Sequence, residues 1–135
     1  MKVGKKIGVI DSQDDLIGNP AYDLVSLIDD VRIKTSIKLK NQIYNYYLKK
    51  NSKIYNTNSN KFLEDFKILS VQRSLKIIGI FSRLFIRDKK KRYLKFIPYA
   101  CLLLEMRMDS EIFSELKKMF DRNISRKIRR KIILK

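Results

Sequence analysis

The chain has no histidine and no tryptophan, one cysteine, four glycines and two prolines among its 135 residues. Without histidine, no imidazole can serve as a general base, as the partner of a nucleophile or as a metal ligand. Any chemistry must therefore come from carboxylates, lysines, tyrosines or a partner. The single cysteine, Cys101, cannot form a disulfide within the chain, and its apolar neighbours predict a small buried hydrophobe.

Long apolar runs are also missing. Only four apolar residues stand together before Asp11, and no later stretch approaches the roughly 18 that are needed to cross a bilayer. We therefore expect a soluble, unprocessed protein of the cytoplasm with no membrane partner. A lone cysteine in an apolar run is consistent with that reducing compartment.

Positive charge is abundant, with 31 lysines and arginines against 14 acidic residues and a formal net charge of +17. Clustered cations favour nucleic-acid partners, because binding to phosphates releases counterions. Here the cations are spread along nearly all of residues 31–135, and lysine and isoleucine alone supply 40 of the 135 residues. A compositional bias of this kind raises charge without a functional cause, so it disfavours a nucleic-acid partner.

The pattern predicts a mainly α protein, with one N-terminal strand or hairpin followed by about five helices. Within residues 6–10 the run Ile-Gly-Val-Ile has β-branched residues and a glycine, and we expect a buried strand that ends at Asp11. Apolar spacings of three and four predict helices over 21–32, 36–48, 62–86, 93–108 with a restart at Pro98, and 110–120. Residues 51–60 read as a loop and residues 88–92 as a solvated link.

The sequence also predicts the packing face of the second helix and the state of the C-terminal segment. The packing face of the second helix is expected to contain Ile37, Leu39, Ile43, Tyr46, Tyr47 and Leu48. Residues 122–135, here called the basic tail, carry only a thin apolar stripe, which favours a solvated or frayed terminal helix.

The most informative segment is IGVIDSQDDLIGNPAYDLVSLIDDVR, residues 7–32. A strand that ends in aspartate, an acidic turn and Gly-x-Pro-x-Tyr-Asp-Leu at a helix start resemble the metal-binding segment of the aminoglycoside phosphotransferase and choline kinase-like family. Residues 72–84, QRSLKIIGIFSRL, and 93–98, YLKFIP, look like the C-terminal helices of a bacterial subgroup. That subgroup includes kinases that phosphorylate N-acetylmuramate and N-acetylglucosamine.

The resemblance implies that residues 1–121 are part of the C-terminal lobe of a protein-kinase-like fold. It implies ATP and Mg²⁺ as cofactors and a sugar or amino-sugar substrate for the intact enzyme. Asp11 matches the carboxylate that holds the magnesium bridging the ATP phosphates. Asp23 matches an aspartate that braces the catalytic loop, and Gln13 and Asp14 are candidates for lining the metal or sugar pocket.

Each of these residues has a plainer interpretation. Asp11 could cap the end of the strand, Asp23 could be an acid favoured by the dipole at a helix N-terminus, and Gln13 and Asp14 could be solvated turn residues. Arg73, in the predicted helix 62–86, could face substrate or brace the catalytic loop, although a solvated face is favoured for it and for Lys76 and Arg83.

The chain also departs from the family pattern. Ser12 stands where an aromatic residue is usual, and Asp15 stands where a small apolar residue is usual. The catalytic loop His-x-Asp-x-x-x-x-Asn, the Gly-rich nucleotide cover and the phosphate-pairing lysine have no counterpart in the sequence. Phosphoryl transfer needs these parts together, so we expect a fragment that is inactive alone and has no catalytic residue of its own.

Two partners or functions remain open on the sequence. A separate N-terminal-lobe chain could associate with the segment around Asp11 and Asp23. The alternative is a stand-alone basic helical protein that uses residues 31–135 to bind nucleic acid or anionic surfaces.

Overall fold

A computed structural model describes residues 18–51 and 59–131 in full and residues 2–3 and 6–7 as backbone. The N-terminal strands β1 (Lys2–Val3) and β2 (Lys6–Ile7) pair antiparallel, with Lys2 opposite Ile7. The rest of the predicted strand and its end at Asp11 lie outside the described residues.

The described part of the chain is mainly helical, as predicted. Its α-helices are α1 (Ala21–Ile28), α2 (Ile37–Asn51), α3 (Ser59–Asp88), α4 (Ile97–Arg107), α5 (Ser114–Asn123) and α6 (Arg126–Arg130). Short 3-10 helices, Lys91–Phe96 and Glu111–Phe113, precede α4 and α5. None of these helices is long and apolar enough to cross a membrane.

The predicted interruption near Pro98 is confirmed. The 3-10 helix ends at Phe96 and α4 begins at Ile97, so Pro98 lies in the first turn of α4. A proline is tolerated there because the first N–H groups of a helix have no intrahelical partner. The predicted link at 88–92 is only partly irregular, since α3 ends at Asp88 and the 3-10 helix already begins at Lys91.

Helix α3 packs against α1, α2, α4 and α5. Its 30 residues span about 45 Å, and three apolar clusters lie along it. The first joins it to α1 and α2, the second to α4 and α5, and the third to Val31 and α4. Buried members of the first cluster are Ala21, Leu24, Val25, Ile28, Phe62 and Phe66.

Helix α1 confirms the apolar face that its spacing predicts. Ala21, Leu24, Val25 and Ile28 recur at three and four residues, and all are at most 3% exposed. They pack against the α3 rings in the first cluster. Complete burial of each larger aliphatic side chain stabilises the fold by about 1.5–3 kcal/mol.

Helix α2 is rotated from the predicted orientation. Ile43, Tyr47 and Leu48 pack on the first cluster as expected, but the exposed fractions of Ile37, Leu39 and Tyr46 are 65, 46 and 64%. The buried face starts instead at Lys40 and includes Tyr44, whose ring meets Phe66 edge-on at 5.1 Å between centroids. A lysine at the first position of the inward face hid this register, because lysine is normally counted as solvent-facing.

The expectation of a solvated terminal helix agrees with most of residues 124–130, which are exposed, but it is wrong for Arg129. Arg129 of α6 is 3% exposed, and its guanidinium donates to Glu105 Oε1 at 2.6 Å, to Asp121 and to the carbonyl of Ile124 at 2.6 Å. It also lies over the Phe120 ring, 4.6 Å from the centroid. These contacts dock α6 on α4 and α5, although its apolar stripe is thin.

Candidate functional site

The predicted site residues fall into two groups. Asp11, Gln13 and Asp14 lie outside the described residues, so the metal ligand and the pocket residues stay predictions. Asp23 is described, in the first turn of α1, and its side chain is exposed. Within residues 18–51 and 59–131 its carboxylate makes no hydrogen bond or ion pair, so it is available to a further group.

The turn that leads into α1 is held in place by side chains of three elements. The Asn19 side chain accepts from the Ala21 N–H at 2.9 Å and donates to Asp65 of α3 at 2.8 Å. The Tyr47 hydroxyl of α2 donates to the Pro20 carbonyl at 3.4 Å. Asparagine often fixes a turn in this way, and here it sets the position of Asp23 relative to α2 and α3.

Arg73 of α3 lies against the same end of α1. Its guanidinium carbon is 5.8 Å from the centroid of the Tyr22 ring, within the range of a cation–π contact. The Arg73 Nε is buried and has no hydrogen-bond partner among the described residues. Lys76 and Arg83 of the same helix are exposed, which agrees with the solvated face favoured for them.

The described residues do not by themselves form a metal site. Among them, no three side chains of aspartate, glutamate or cysteine lie together in a group that could hold a metal ion. Mg²⁺ needs several oxygen ligands in near-octahedral geometry, and Asp23 offers a single exposed carboxylate. The candidate ligand Asp11 lies beyond the part of the chain that the structure describes.

A buried ionic network lies at the opposite end of α1. Asp29, 2% exposed, accepts from Lys40 Nζ at 2.9 Å, Ser70 Oγ at 2.7 Å and Arg107 Nε at 3.0 Å. Lys40 also donates to the carbonyl of Ile28 at the end of α1. We call Asp29, Lys40, Ser70 and Arg107 the Asp29 network, and it connects α1 to α2, α3 and α4.

The Asp29 network places one carboxylate between two cations, Lys40 and Arg107. Burial alone would raise the pKa of Asp29, but the hydrogen bond and charge of Arg107, with the bonds from Ser70 and Lys40, outweigh it. The pKa of Asp29 is therefore held below its usual 3.8, and the carboxylate stays ionised at neutral pH. Arg107 also lies over the Phe66 ring, 4.9 Å from the centroid, which shields the network from water.

Sequence reasoning did not find the Asp29 network. The available signal was a spacing of four along α3, where Phe62, Phe66, Ser70 and Ser74 form one buried row. A serine in such a row allows close approach of another element and can donate a hydrogen bond into the interior. A prediction from apolar residues alone ends this row at Phe66, because serine is not counted among the inward-facing residues.

The chain is similar in sequence to bacterial sugar kinases. It is 33% identical over 125 residues, 93% of the chain, to the N-acetylmuramate/N-acetylglucosamine kinase of Caulobacter vibrioides. It is 34% identical over 84% of the chain to the enzyme of that name from Neisseria meningitidis, and 36% identical over 73% to the one from Pseudomonas aeruginosa. The predicted similarity to these kinases is confirmed.

The matches cover a much smaller share of each relative than of this chain. The matches span 34, 34 and 30% of the three relatives, so the chain corresponds to about a third of their length. No known family profile and no solved structure matches the chain. The aminoglycoside phosphotransferase family and the kinase-like lobe therefore remain predictions.

Proposed function

We propose that the chain is the C-terminal part of the kinase-like lobe of an ATP-dependent phosphotransferase that acts on a sugar or amino sugar. The observation that carries the proposal is the 33% identity to a sugar kinase over 93% of the chain. The resemblance of the Gly-x-Pro-x-Tyr-Asp-Leu motif and of residues 72–98 to sugar-kinase segments agrees with this assignment.

The geometry of α1 supports this role. The motif residue Asp23 lies in the first turn of a helix that is fixed to α2 and α3 by Asn19 and Tyr47. Its exposed and unpaired carboxylate is suited to accept backbone hydrogen bonds from a catalytic loop packed on this end of the helix.

The remaining roles follow from the family pattern. Asp11 is the proposed ligand of the Mg²⁺ that accompanies ATP, and Gln13 and Asp14 are proposed to line the metal or sugar pocket. The sequence holds no counterpart of the catalytic loop, the nucleotide cover or the phosphate-pairing lysine. The base for the attacking hydroxyl must then come from another part of the enzyme or from a partner chain that carries the N-terminal lobe.

A chimera tests the proposal. The matching third of the Caulobacter vibrioides kinase is replaced by this chain, and transfer of phosphate from ATP to N-acetylmuramate and to N-acetylglucosamine is measured. We expect transfer by the chimera and a loss of at least about 100-fold with Asp11→Asn, because the metal neutralises charge on the transferring phosphoryl group. Asp109→Asn is the control, since that side chain is 59% exposed and, among the described residues, pairs only with Lys67 at the surface.

One outcome would count against this function, and another would count only against the role of Asp11. The first is a chimera that unfolds cooperatively, and so is folded, yet transfers no phosphate to either sugar. The other is transfer that Asp11→Asn leaves at the level of the Asp109→Asn control. The second outcome would leave the kinase assignment in place but remove Asp11 from it.

A further inference from the structure

An apolar groove lies along the C-terminal half of α3. It has a volume of about 340 Å³ and is bounded by α3, the 3-10 helix Lys91–Phe96, α4 and α6. Phe85, Ile86, Leu94 and Ile128 are among the side chains that line it, and Lys131 is at its edge. We call this feature the α3–α6 groove.

The rim of the groove exposes apolar surface to solvent. Ile86 and Ile128, on opposite sides of it, are 68 and 58% exposed. Contiguous apolar surface of this kind marks an interaction site more often than scattered single residues do.

Exposed cations adjoin the groove-lining residues along the chain. Between residues 83 and 95 all seven basic side chains are exposed, namely Arg83, Arg87, Lys89, Lys90, Lys91, Arg92 and Lys95. The one acid among them, Asp88, is paired with Arg87 at 2.6 Å. On the α6 side, Lys127 and Lys131 are exposed as well.

The cationic turn is fixed to the groove by the end of α3. Lys89 has φ of 54°, and its N–H donates to the Phe85 carbonyl at 3.1 Å, which is a common way for a helix to end. Phe85 and Ile86 line the groove, so the run Lys89–Arg92 begins three residues after Ile86 on a defined backbone. Lys89–Arg92 therefore lies between groove-lining residues, with Phe85 and Ile86 before it and Leu94 after it.

We propose that the groove and the adjoining cations form one face that binds the surface of an anionic phospholipid bilayer, a property beyond the proposed kinase function. The cations would contact lipid phosphates, while Ile86, Ile128 and the groove would face the acyl layer. Peripheral binding combines these two contributions and needs no spanning helix. The proposal departs from the sequence-based expectation of no membrane partner.

Nucleic acid fits this face less well. Binding of single strands relies on aromatic rings that are free to stack on bases. The nearby rings are instead packed on one another, with Phe81 at 5.2 Å from Tyr93 and 5.9 Å from Phe96 between centroids. The exposed apolar side chains beside the cations are aliphatic, which suits lipid rather than bases.

Co-sedimentation of the full chain with vesicles tests the proposal. We expect binding to vesicles of phosphatidylcholine mixed with phosphatidylglycerol, and little binding to phosphatidylcholine alone. Lys90→Glu with Lys91→Glu should weaken binding at least about tenfold, because both charges at the headgroup layer are reversed. Ile86→Ser with Ile128→Ser should weaken it severalfold and leave the salt dependence in place.

Matched variants away from the groove serve as controls. Lys38→Glu with Lys61→Glu reverses the same charge on exposed residues of α2 and α3, and Ile33→Ser removes an isoleucine that is 65% exposed. All variants change exposed side chains, so circular dichroism should show an unchanged fold. We expect the control variants to bind within about twofold of the unmodified chain, apart from the general effect of net charge.

Three results would overturn the proposal. Equal weakening by the groove pair and the control pair would reduce the effect to net charge. Binding of RNA, but not vesicles, that depends on Lys90 and Lys91 would assign the face to nucleic acid. Self-association that is lost with Ile86→Ser and Ile128→Ser, without vesicle binding, would assign the groove to a second copy of the chain.

Discussion

Two buried ionic centres within the described residues are chemical inverses of each other. In the Asp29 network a single carboxylate, 2% exposed, receives donors from α2, α3 and α4. In the tail a single guanidinium, Arg129, is equally buried and donates to two acids. The side chains of those acids, Glu105 and Asp121, are 21 and 42% exposed.

This difference in exposure separates a global from a local contribution to stability. Lys40 is 3% exposed in the ion pair with Asp29, so it cannot regain water without opening the helix packing. Glu105 and Asp121 already touch water and can be hydrated if Arg129 is lost. The first centre should therefore stabilise the whole fold, while the second should mainly dock a terminal helix.

Removal of the central acid should have the largest effect. Asp29→Ala would leave Lys40 buried without a counter-charge and remove the acceptor of Ser70 and Arg107. We expect the free energy of unfolding, measured with urea, to fall by about 3–5 kcal/mol. Asp30→Ala is the matched control, because the ion pair of Asp30 within the described residues is with Arg32, whose side chain is 70% exposed, and its loss should cost under about 1 kcal/mol.

Similar losses in the two variants would contradict the global role of Asp29. A variant too unstable to purify would still be informative if Lys40→Met folds. In Lys40→Met the carboxylate keeps Arg107 and Ser70, so this change should be milder than Asp29→Ala.

Arg129→Leu should have a smaller and local effect. The change keeps apolar contact with Phe120 but removes the hydrogen bonds to Glu105, Asp121 and the Ile124 carbonyl. We expect amide hydrogen exchange in α6 to accelerate at least about tenfold, with little change in the urea midpoint. Arg130→Leu, at a 53% exposed side chain that also pairs with Glu105, is the control and should change neither. A large shift in the urea midpoint would show that the tail is part of the cooperative core.

Helix positions were predictable from the sequence because they depend on local spacing. The apolar repeats of α1 and α3 and the restart at Pro98 are properties of neighbouring residues, and the structure confirms them. The register of α2 and the docking of α6 were not, because each depends on a charged side chain that faces inward. The partners of Asp29 lie 11, 41 and 78 residues away, a distance at which no local pattern reports pairing.

The candidate site also combines features that the local sequence predicts with features that depend on distant contacts. The motif at 18–24 correctly places Asp23 at the start of a helix, since a proline and a turn-forming asparagine signal that start locally. The packing of Arg73 on Tyr22 was not visible in the sequence, because it depends on how α3 crosses α1. The roles of Asp11, Gln13, Asp14 and Asp23 in phosphoryl transfer remain predictions that the chimera addresses.

Lowering the pH should distinguish the two centres. The expected effect, a change in the slope of the free energy of unfolding against pH, is the smallest of those predicted. The pKa of Asp29 is below its usual value in the folded chain, so its contribution is complete above the unfolded pKa of about 3.9 and is lost as pH falls through the folded pKa. As pH falls from about 5 through the folded pKa, the free energy of unfolding should therefore decrease, and Asp29→Asn should flatten that decrease. Asp121, whose pKa is lowered by its bond to Arg129, is the informative comparison. Asp121→Asn should alter the pH dependence of hydrogen exchange in α6 and leave the global slope as it is. Equal flattening of the global slope by both variants would mean that the tail and the core unfold together.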